Sequence, residues 1–417
     1  MELLAPAGDL EKLETAYTYG ADAAYIGLSG FSLRRRADDV DPHAVADRLR
    51  RIKREKRLYG ALNIYFHNED IRRLEEQIDS ISALPLDAVI VSDIGALPTL
   101  RKYLPHVELH LSTQANCLNT AAARMYQDIG FSRIIPAREM SLDALAEMKA
   151  SLPDLEIEVF VHGAMCLAYS GRCLLSAWQA DRSANKGQCA HSCRWNYRYA
   201  IEEAKRPGHY FPVEEGEGFT TILSPKDLCM IDHLAALRDA GMDALKIEGR
   251  VKSAYYAAVV TRAYRKELDR VLADRPRSDS QPYIDDLYNV SHREFSTGFF
   301  FSNPEELVPT QKSYQQSYRF VARVLEELSP GRYRLDVKNG FSRADPIEFV
   351  GPDLPKASDT SFRLFAPDGT EVEQLTHQEG GAIEPGIPVE PGFLLRRPSG
   401  TTATADPSSP AGSDPGA

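Results

Sequence analysis

The stretch that determines the fold reads Glu2-Leu-Leu-Ala-Pro-Ala-Gly-Asp-Leu-Glu-Lys-Leu-Glu-Thr-Ala-Tyr-Thr-Tyr-Gly-Ala-Asp-Ala-Ala-Tyr-Ile-Gly27. Its two ends, residues 2–5 and 23–27, are short apolar runs with the length of buried strands. The segment between them, residues 9–19, is amphipathic with a helical period. It starts at an aspartate, a favoured N-cap residue, and Gly20 follows it as a C-terminal cap. The stretch therefore predicts one strand–helix–strand unit with parallel strands.

The same alternation continues to about residue 270. The apolar runs give eight candidate strands: residues 2–5, 23–27, 58–64, 88–92, 107–112, 133–136, 157–162 and 244–248. Amphipathic segments between them include residues 71–81, 120–129 and 142–150. Eight strands that alternate with helices are the pattern of a closed (β/α)8 TIM-like barrel, and an open doubly wound sheet is the alternative.

Changes in pattern divide the chain into segments. Residues 1–275 form the predicted barrel, and residues 163–224 are an insertion after strand seven, since they are too many for an ordinary connection. Residues 276–313 are predicted to be a linker and connecting segment, because a Pro/Asp/Ser-rich stretch begins there. The period changes to two in residues 314–396, which predicts a small antiparallel β-barrel. Residues 397–417 are rich in small and polar residues and are predicted to be a disordered tail.

The composition narrows the class of protein. Hydrophobic residues make up 43% of the 417 residues, as a folded core requires, and the net charge is −11. This net charge argues against an indiscriminate binder of polyanions, but it does not exclude a local basic face. No apolar run is long enough for a membrane helix, and residues 1–6 open the sequence without a basic leader and an apolar signal region, so we expect a cytoplasmic protein without membrane contact.

Five of the six cysteines form a cluster in the sequence. They are Cys166, Cys173, Cys189, Cys193 and Cys229, separated by six, fifteen, three and thirty-five residues. In a reducing compartment, clustered cysteines are metal ligands or catalytic groups before they are disulfides. Soft thiolates suit zinc or an iron–sulfur cluster, and the wide spacing favours the cluster. Four ligands are needed, and the choice between Cys193 and Cys229 stays open, while Cys117 is interpreted as a packing residue.

Polar residues at the strand ends are the other candidates, because functional residues of (β/α)8 barrels follow the strand C-termini. We assign as candidate catalytic residues His162, Glu248 and Arg250. We assign as candidate substrate-binding residues Arg34, Arg36, His110, Gln114, Asn116 and Lys246. The arginines could hold carboxylates or phosphates. Lys246, Glu248 and Arg250 share one side of strand eight, and if that side is the barrel interior they must be paired there.

At the cysteines the chain resembles the U32 peptidase family. The family signature stands here as Glu158-Val-Phe-Val-His-Gly-Ala-Met-Cys166-Leu-Ala-Tyr-Ser-Gly-Arg-Cys173. The likeness extends to residues 3–8, 32–36, 112–116, 189–195 and 245–250. Within the family it is greatest to the tRNA 5-hydroxyuridine modification proteins, which also carry Arg206-Pro-Gly-His-Tyr210 and a C-terminal β-domain. Relatives in ubiquinone biosynthesis hydroxylate an aromatic ring but lack that domain.

The resemblance implies an enzyme that forms 5-hydroxyuridine at the wobble position of tRNA. It also implies an iron–sulfur cluster, of the [4Fe-4S] type, and prephenate as the small acidic co-substrate. Two alternatives remain. The family label describes a collagenase-like peptidase, a hydrolase, although the sequence has no Ser-His-Asp, His-Glu-x-x-His or Gly-x-Ser-x-Gly pattern. The second alternative is a non-catalytic iron–sulfur accessory factor.

Overall fold

The computed structural model describes residues 1–28, 30–32, 42–166, 226–301, 315–377 and 380–399. It also describes these shorter pieces between residues 167 and 225: Ser170, Ser176, Ala180, Arg182, 189–192, Ile201–Glu202, Tyr210–Phe211, Glu215–Gly216 and Phe219–Thr220. The chain divides into two compact units, residues 1–315 and 316–417.

The first unit contains a closed barrel. Its parallel strands, within the described residues, are β1 (Glu2–Pro6), β2 (Ala23–Gly27), β3 (Arg57–Leu62), β4 (Ala88–Val91), β5 (Glu108–Leu111), β6 (Arg133–Ile134), β7 (Glu156–Ala164) and β9 (Ala244–Ile247). Each strand pairs with the next, β9 pairs with both β7 and β1, and the ring is thereby closed. The predicted (β/α)8 barrel and its eight strands are confirmed, with bounds shifted by one or two residues.

Helices connect the strands. They are α1 (Leu10–Thr18), α2 (Pro42–Lys53), α3 (Asn68–Ser82), α4 (Leu97–Tyr103), α5 (Thr120–Asp128), α6 (Leu142–Ser151), α7 (Leu234–Asp239) and α8 (Ala254–Leu272). The side chain of Asp9 accepts a hydrogen bond from the backbone N–H of Lys12, which confirms the predicted cap of α1. Gly20 has a φ of 103°, the left-handed conformation that glycine adopts without a steric penalty.

A short strand outside the eightfold pattern lies beside the upper half of β7. This strand, β8 (Asp227–Cys229), pairs antiparallel with β7 so that Cys229 is opposite His162. On its other edge it pairs with β10 (Phe295–Ser296). Strand β6 has only two residues, and β8 pairs with β7 beyond the point where β6 ends.

The predicted linker is wrong for residues 276–301, which belong to the first unit. They form a 3-10 turn (Arg277–Asp279), helix α9 (Gln281–Asp285) and β10. The reason is a buried ion pair between Arg262 Nη2 and Asp286 Oδ2 at 2.6 Å, which attaches the segment to α8. Composition alone did not reveal this partner. Residues 302–314 lie outside the described residues.

The second unit is an antiparallel half-barrel, which confirms the predicted antiparallel class. Its strands are β11 (Tyr318–Ser329), β12 (Arg332–Val337), β13 (Phe341–Ser342), β14 (Ile347–Val350), β15 (Ala357–Asp359), β16 (Arg363–Phe365), β17 (Glu371–Val372), β18 (Gln374–Leu375), β19 (Gly381–Glu384) and β20 (Leu394–Pro398). The main sheet has the order β15-β14-β20-β11-β12-β19-β16-β17, and β13 pairs with β18. Residues such as Val321, Phe349 and Leu395 form its core.

The start of the predicted tail is corrected by the structure. Strand β20 extends to Pro398, and the backbone N–H of Ser399 donates to the carbonyl of Ser317 at 2.8 Å. Arg397 is held by Asp345 through a 2.8 Å ion pair. The ordered part therefore ends later than residue 396, and the prediction for residues 400–417 falls outside the described residues. Within the described residues, none of the helices is both long and apolar enough to span a bilayer.

Candidate functional site

The barrel interior holds charged side chains. Lys246 Nζ on β9 lies 2.7 Å from Glu158 Oε1 on β7, and Arg133 Nη1 on β6 lies 3.0 Å from Glu158 Oε2. Arg133 Nη1 also lies 2.6 Å from Glu2 Oε1 on β1. Contacts between strands that are not neighbours are possible only inside the barrel. Burial alone would raise the pKa of Glu158, but Lys246 and Arg133 outweigh it and lower this pKa to about 2.

Two predicted substrate-binding residues, Lys246 and His110, are part of this interior network, and Lys246 has the partner that the sequence required of it if its side of the strand faced the barrel interior. Lys246 is 3% exposed and is paired with Glu158. His110 is fully buried, with its ring edge-on to Tyr59 and its Nε2 at 3.2 Å from Glu108 Oε2. Burial lowers the pKa of His110. Both side chains have protein partners because both strands direct them inward, below the strand ends.

The upper interior is formed around Tyr25. Its hydroxyl lies within hydrogen-bond distance of two acceptors, Glu248 Oε2 at 3.1 Å and the carbonyl of Ile247 at 3.0 Å. Lys246 Nζ lies 4.5 Å from the centroid of the Tyr25 ring, and the guanidinium carbon of Arg250 lies 5.7 Å from it. Such cation–π contacts are favourable when they are desolvated. Tyr25 thus contacts Lys246, Glu248 and Arg250, the three residues that the sequence assigned to one side of the eighth barrel strand, which is β9 in the structure.

Arg250 connects this group to the loop after β2. Its Nη1 donates to Ser32 Oγ at 2.5 Å, and both residues are buried. A Cβ at Gly27 would stand 2.7 Å from the same Nη1, so the arginine occupies space that only glycine leaves open. The candidate residues Arg34 and Arg36, which follow Ser32 in sequence, lie outside the described residues.

The loop after β5 carries Gln114 and Asn116, as predicted. Residues Thr113–Ala115 form a 3-10 turn that Ser112 caps, since its hydroxyl accepts from the backbone N–H of Gln114. Asn116 adopts a left-handed backbone with φ of 58°, a conformation that asparagine tolerates better than most residues. The hydroxyl of Tyr65 donates to the Gln114 carbonyl at 3.2 Å and thereby joins this loop to the one after β3.

His162 does not face open space. It is 1% exposed, and its ring contacts Tyr256 and Tyr264 of α8 and Phe295 of β10. Burial lowers the pKa of His162 to about 3, so the imidazole is neutral at physiological pH. These contacts favour a structural role over the predicted catalytic one.

The described cysteines differ in their surroundings. Cys166 is exposed just after β7, Cys189 is half-buried, and Cys229 is half-buried on β8. Burial raises the pKa of the Cys229 thiol to about 11, and a bound metal would favour its thiolate. Cys117 is 1% exposed, which agrees with its predicted packing role. Cys173 and Cys193 lie outside the described residues.

These residues fit a thiolate-held centre in the chemistry of their donors, because iron–sulfur clusters are held by cysteine thiolates. Pairing of β8 with β7 brings Cys229 opposite His162, four residues before Cys166, at the C-terminal end of β7. No three metal-ligating side chains come together among the residues that the structure describes, a set without Cys173 and Cys193.

Glu139, which follows β6, is not among the candidate site residues predicted from the sequence. Its Oε1 accepts from the backbone N–H of Ser170 at 2.9 Å, and its Oε2 accepts from the Ser170 hydroxyl at 3.1 Å. The Ser170 oxygen also accepts from the backbone N–H of Arg138 at 3.3 Å. Ser170 belongs to the signature between Cys166 and Cys173, so Glu139 attaches that segment to the loop after β6. Its position after a barrel strand was the only sequence signal for it.

Fold and site together define a (β/α)8-barrel protein with a charged interior and cysteines beside the C-terminal end of β7. Residues 8–309 match the model of peptidase family U32, and residues 316–396 match that of the peptidase family U32 C-terminal domain. The chain belongs to peptidase family U32.

Curated relatives match over both units. A tRNA hydroxylation protein P of Helicobacter pylori (strain J99) is 41% identical, over 91% of this chain and 87% of that protein. tRNA hydroxylation protein P1 of Bacillus subtilis (strain 168) is 37% identical, over 90% of this chain and 89% of that protein. The 23S rRNA 5-hydroxycytidine C2501 synthase of Escherichia coli (strain K12) is 36% identical, over 66% of this chain but 40% of that protein.

Proposed function

We propose that this protein is an enzyme that hydroxylates tRNA and forms 5-hydroxyuridine at the wobble position. The observation that carries the proposal is the match to tRNA hydroxylation proteins over about nine-tenths of both chains, which includes the C-terminal domain. The similarity to a synthase of 5-hydroxycytidine in rRNA supports hydroxylation at the same ring carbon of a pyrimidine. A tRNA substrate would also agree with a cytoplasmic location.

An iron–sulfur cluster, of the [4Fe-4S] type, is the proposed cofactor. Its ligands would come from Cys166, Cys173, Cys189, Cys193 and Cys229, of which four are needed. When bound, such a cluster supplies one-electron chemistry or an open iron site. The Glu139–Ser170 hydrogen bonds would hold the segment between the first two of these cysteines against the barrel.

The proposed co-substrate is prephenate, a small dianionic acid. Arg250 is the described cation of the upper interior that could approach such an acid, with Arg34 and Arg36 as further candidates. A guanidinium binds a carboxylate through two parallel hydrogen bonds. Tyr25 and Ser32 would fix the direction of Arg250, and the carboxylate of Glu248, held by the same tyrosine, is the candidate for handling a proton there.

The decisive experiment compares tRNA nucleosides from a deletion strain with those of its parent by mass spectrometry. The proposal expects 5-hydroxyuridine-type nucleosides to disappear in the deletion strain and to return when the gene is supplied in trans. Their persistence in the deletion strain would refute it. Return of the nucleosides with an iron-free cysteine variant would refute the cofactor. A strain that cannot synthesise prephenate tests the co-substrate: without a supplied precursor of prephenate, the nucleosides should be lost.

The same strains, together with assays of the purified protein, distinguish the proposed enzyme from a peptidase and from an accessory factor. A peptidase would cleave peptide substrates without iron and leave the tRNA nucleosides unchanged. An accessory factor would contain iron and sulfide, yet purified protein with tRNA and prephenate would form no modified nucleoside. Formation of the nucleoside by the purified, iron-loaded protein would exclude both alternatives as the main function.

A further inference from the structure

The hydroxyl of Tyr264 lies between the two strands that carry His162 and Cys229. Tyr264 is fully buried on α8. Its hydroxyl donates to the carbonyl of Val161 on β7 at 2.7 Å and accepts from the backbone N–H of Met230 at 3.1 Å. The same oxygen is 3.9 Å from the sulfur of Cys229, within the longer hydrogen-bond range of sulfur.

The surroundings hold this oxygen in place. The Tyr264 ring packs edge-on against His162, whose Nδ1 is 3.3 Å from the hydroxyl. Strand β8 is fixed at its other end by Asp227, whose carboxylate is paired with Arg293 at 2.7 Å. Cys229 therefore has little freedom to move away from the hydroxyl, although β8 has only three residues.

Backbone bonding alone does not require the tyrosine oxygen. The N–H of Met230 also donates to the Val161 carbonyl at 2.9 Å, so β8 would remain bonded to β7 without the hydroxyl. The contacts that no backbone group replaces are those to the Cys229 sulfur and to His162 Nδ1. A phenylalanine would fill the same space, so a tyrosine at this buried position is explained by its polar contacts.

We propose that Tyr264 is a positioning residue for Cys229. When Cys229 loses its proton and ligates the metal centre, the hydroxyl turns its single proton from the Val161 carbonyl, which keeps the Met230 N–H as a donor, to the sulfur. The inference rests on the cofactor in the proposed function, although not on the RNA reaction. Hydrogen bonds to ligand sulfurs are one of the factors that set the reduction potential of an iron–sulfur cluster. They stabilise the reduced form more, because that form carries more negative charge on its sulfurs.

The test compares wild-type protein with Tyr264→Phe after anaerobic loading with iron and sulfide. Phenylalanine keeps the ring that packs on His162 and removes only the oxygen. We expect the variant to fold and to hold cluster, but with a reduction potential shifted below that of the wild type in a spectroscopic titration. A role limited to core packing would lower the melting temperature and leave the potential unchanged.

Tyr17→Phe is the matched control. The Tyr17 hydroxyl donates to the backbone carbonyl of Arg57 at 2.8 Å, so this variant also loses one partly buried tyrosine hydrogen bond, but at a position far from the five clustered cysteines in sequence. Its potential should equal that of the wild type. An equal shift in both variants, or none in Tyr264→Phe, would overturn the inference.

The outcomes separate this inference from the proposed function. A deletion strain that keeps its 5-hydroxyuridine refutes the tRNA reaction but leaves the potential shift as it is. A wild-type protein that binds no iron when loaded anaerobically overturns both the proposed cofactor and the role of Tyr264. If the wild type binds the cluster and the Tyr264→Phe variant has the same reduction potential as the wild type, only the inference about Tyr264 is overturned.

Discussion

Lys246 and Glu158 form a salt bridge of 2.7 Å between β9 and β7, with both side chains almost completely buried. The interiors of (β/α)8 barrels are mostly filled by bulky branched apolar residues. Here the third position of β9 is a cation, and Glu158 neutralises it while also contacting Arg133. Because charges without a partner are strongly unfavourable in such a place, each member of this group depends on the others.

We therefore expect Glu158→Gln to lower the free energy of unfolding by about 3–5 kcal/mol, since it removes one partner of two buried cations. Lys246→Met should cost less, because Glu158 keeps Arg133. Urea unfolding at pH 7 measures both. The exposed pair of Arg334 and Glu326, at 2.6 Å, is the control, and Glu326→Gln should change stability by less than about 1 kcal/mol. A Glu158→Gln variant as stable as this control would contradict the prediction.

Local patterns in the sequence predicted the barrel well. Apolar runs and caps such as Asp9 report on neighbouring residues, which is enough to identify strands and helices. The alternation of Lys246, Glu248 and Arg250 predicted that they share one side of the eighth barrel strand, and all three contact Tyr25. The need for buried partners there was also predicted. The identity of the partners was not, because Glu158 is 88 positions from Lys246 in sequence.

The candidate site was predicted less completely for the same reason. His162 ends in a packed position because β9 has an irregular register beside it, between Lys246 and Ile247, and because α8 supplies Tyr264, 102 positions away. Neither a register irregularity nor a tertiary contact of this kind leaves a local signal. The cysteines, in contrast, were conspicuous through their spacing alone.

The buried imidazole of His162 predicts a dependence of stability on pH. In the unfolded chain this histidine binds a proton near its ordinary pKa of 6.5, whereas in the folded protein burial keeps it neutral until about pH 3. The unfolded state then binds more protons, so stability falls as the pH falls through this window. Between pH 7 and pH 5 the loss should be about 2 kcal/mol, at about 1.4 kcal/mol for each pKa unit.

His162→Phe should remove this loss, because phenylalanine binds no proton. Urea unfolding at pH 7 and pH 5 gives the two differences to compare. His106→Phe, at an exposed position, is the control and should lose as much stability as the wild type. Equal pH dependence in His162→Phe and the wild type would show that the imidazole is not buried as described.

Glu139 should affect the retention of iron. Glu139→Ala removes both acceptors of Ser170, at 2.9 and 3.1 Å, so the segment between Cys166 and Cys173 loses its attachment to the loop after β6. We expect less iron per protein after anaerobic loading and a faster loss of the ~400 nm absorption in air. Glu139→Gln, which can still accept from the Ser170 N–H, should lie between Ala and the wild type. Full iron content in Glu139→Ala would contradict the role.

The control for that measurement is Glu147→Ala, a charge removal on the exposed face of α6, which should bind iron as the wild type does. If Glu139→Ala and Glu147→Ala lose iron equally, net charge rather than the hydrogen bonds to Ser170 explains the effect.

Arg250→Lys tests the upper interior, because lysine keeps the charge but loses the planar group that spans Tyr25 and Ser32. In the deletion strain, the initial rate of 5-hydroxyuridine formation after induction should fall about tenfold or more, which corresponds to at least about 1.4 kcal/mol. Gly27→Ala should act in the same direction, since its Cβ would stand 2.7 Å from Arg250 Nη1 and displace the guanidinium without changing any charge.

Arg101→Lys, on the last turn of α4, is the control for a lost guanidinium and should keep the wild-type rate. A wild-type rate in Arg250→Lys, with normal iron content, would mean that the acid is held elsewhere, with Arg34 and Arg36 the next residues to replace.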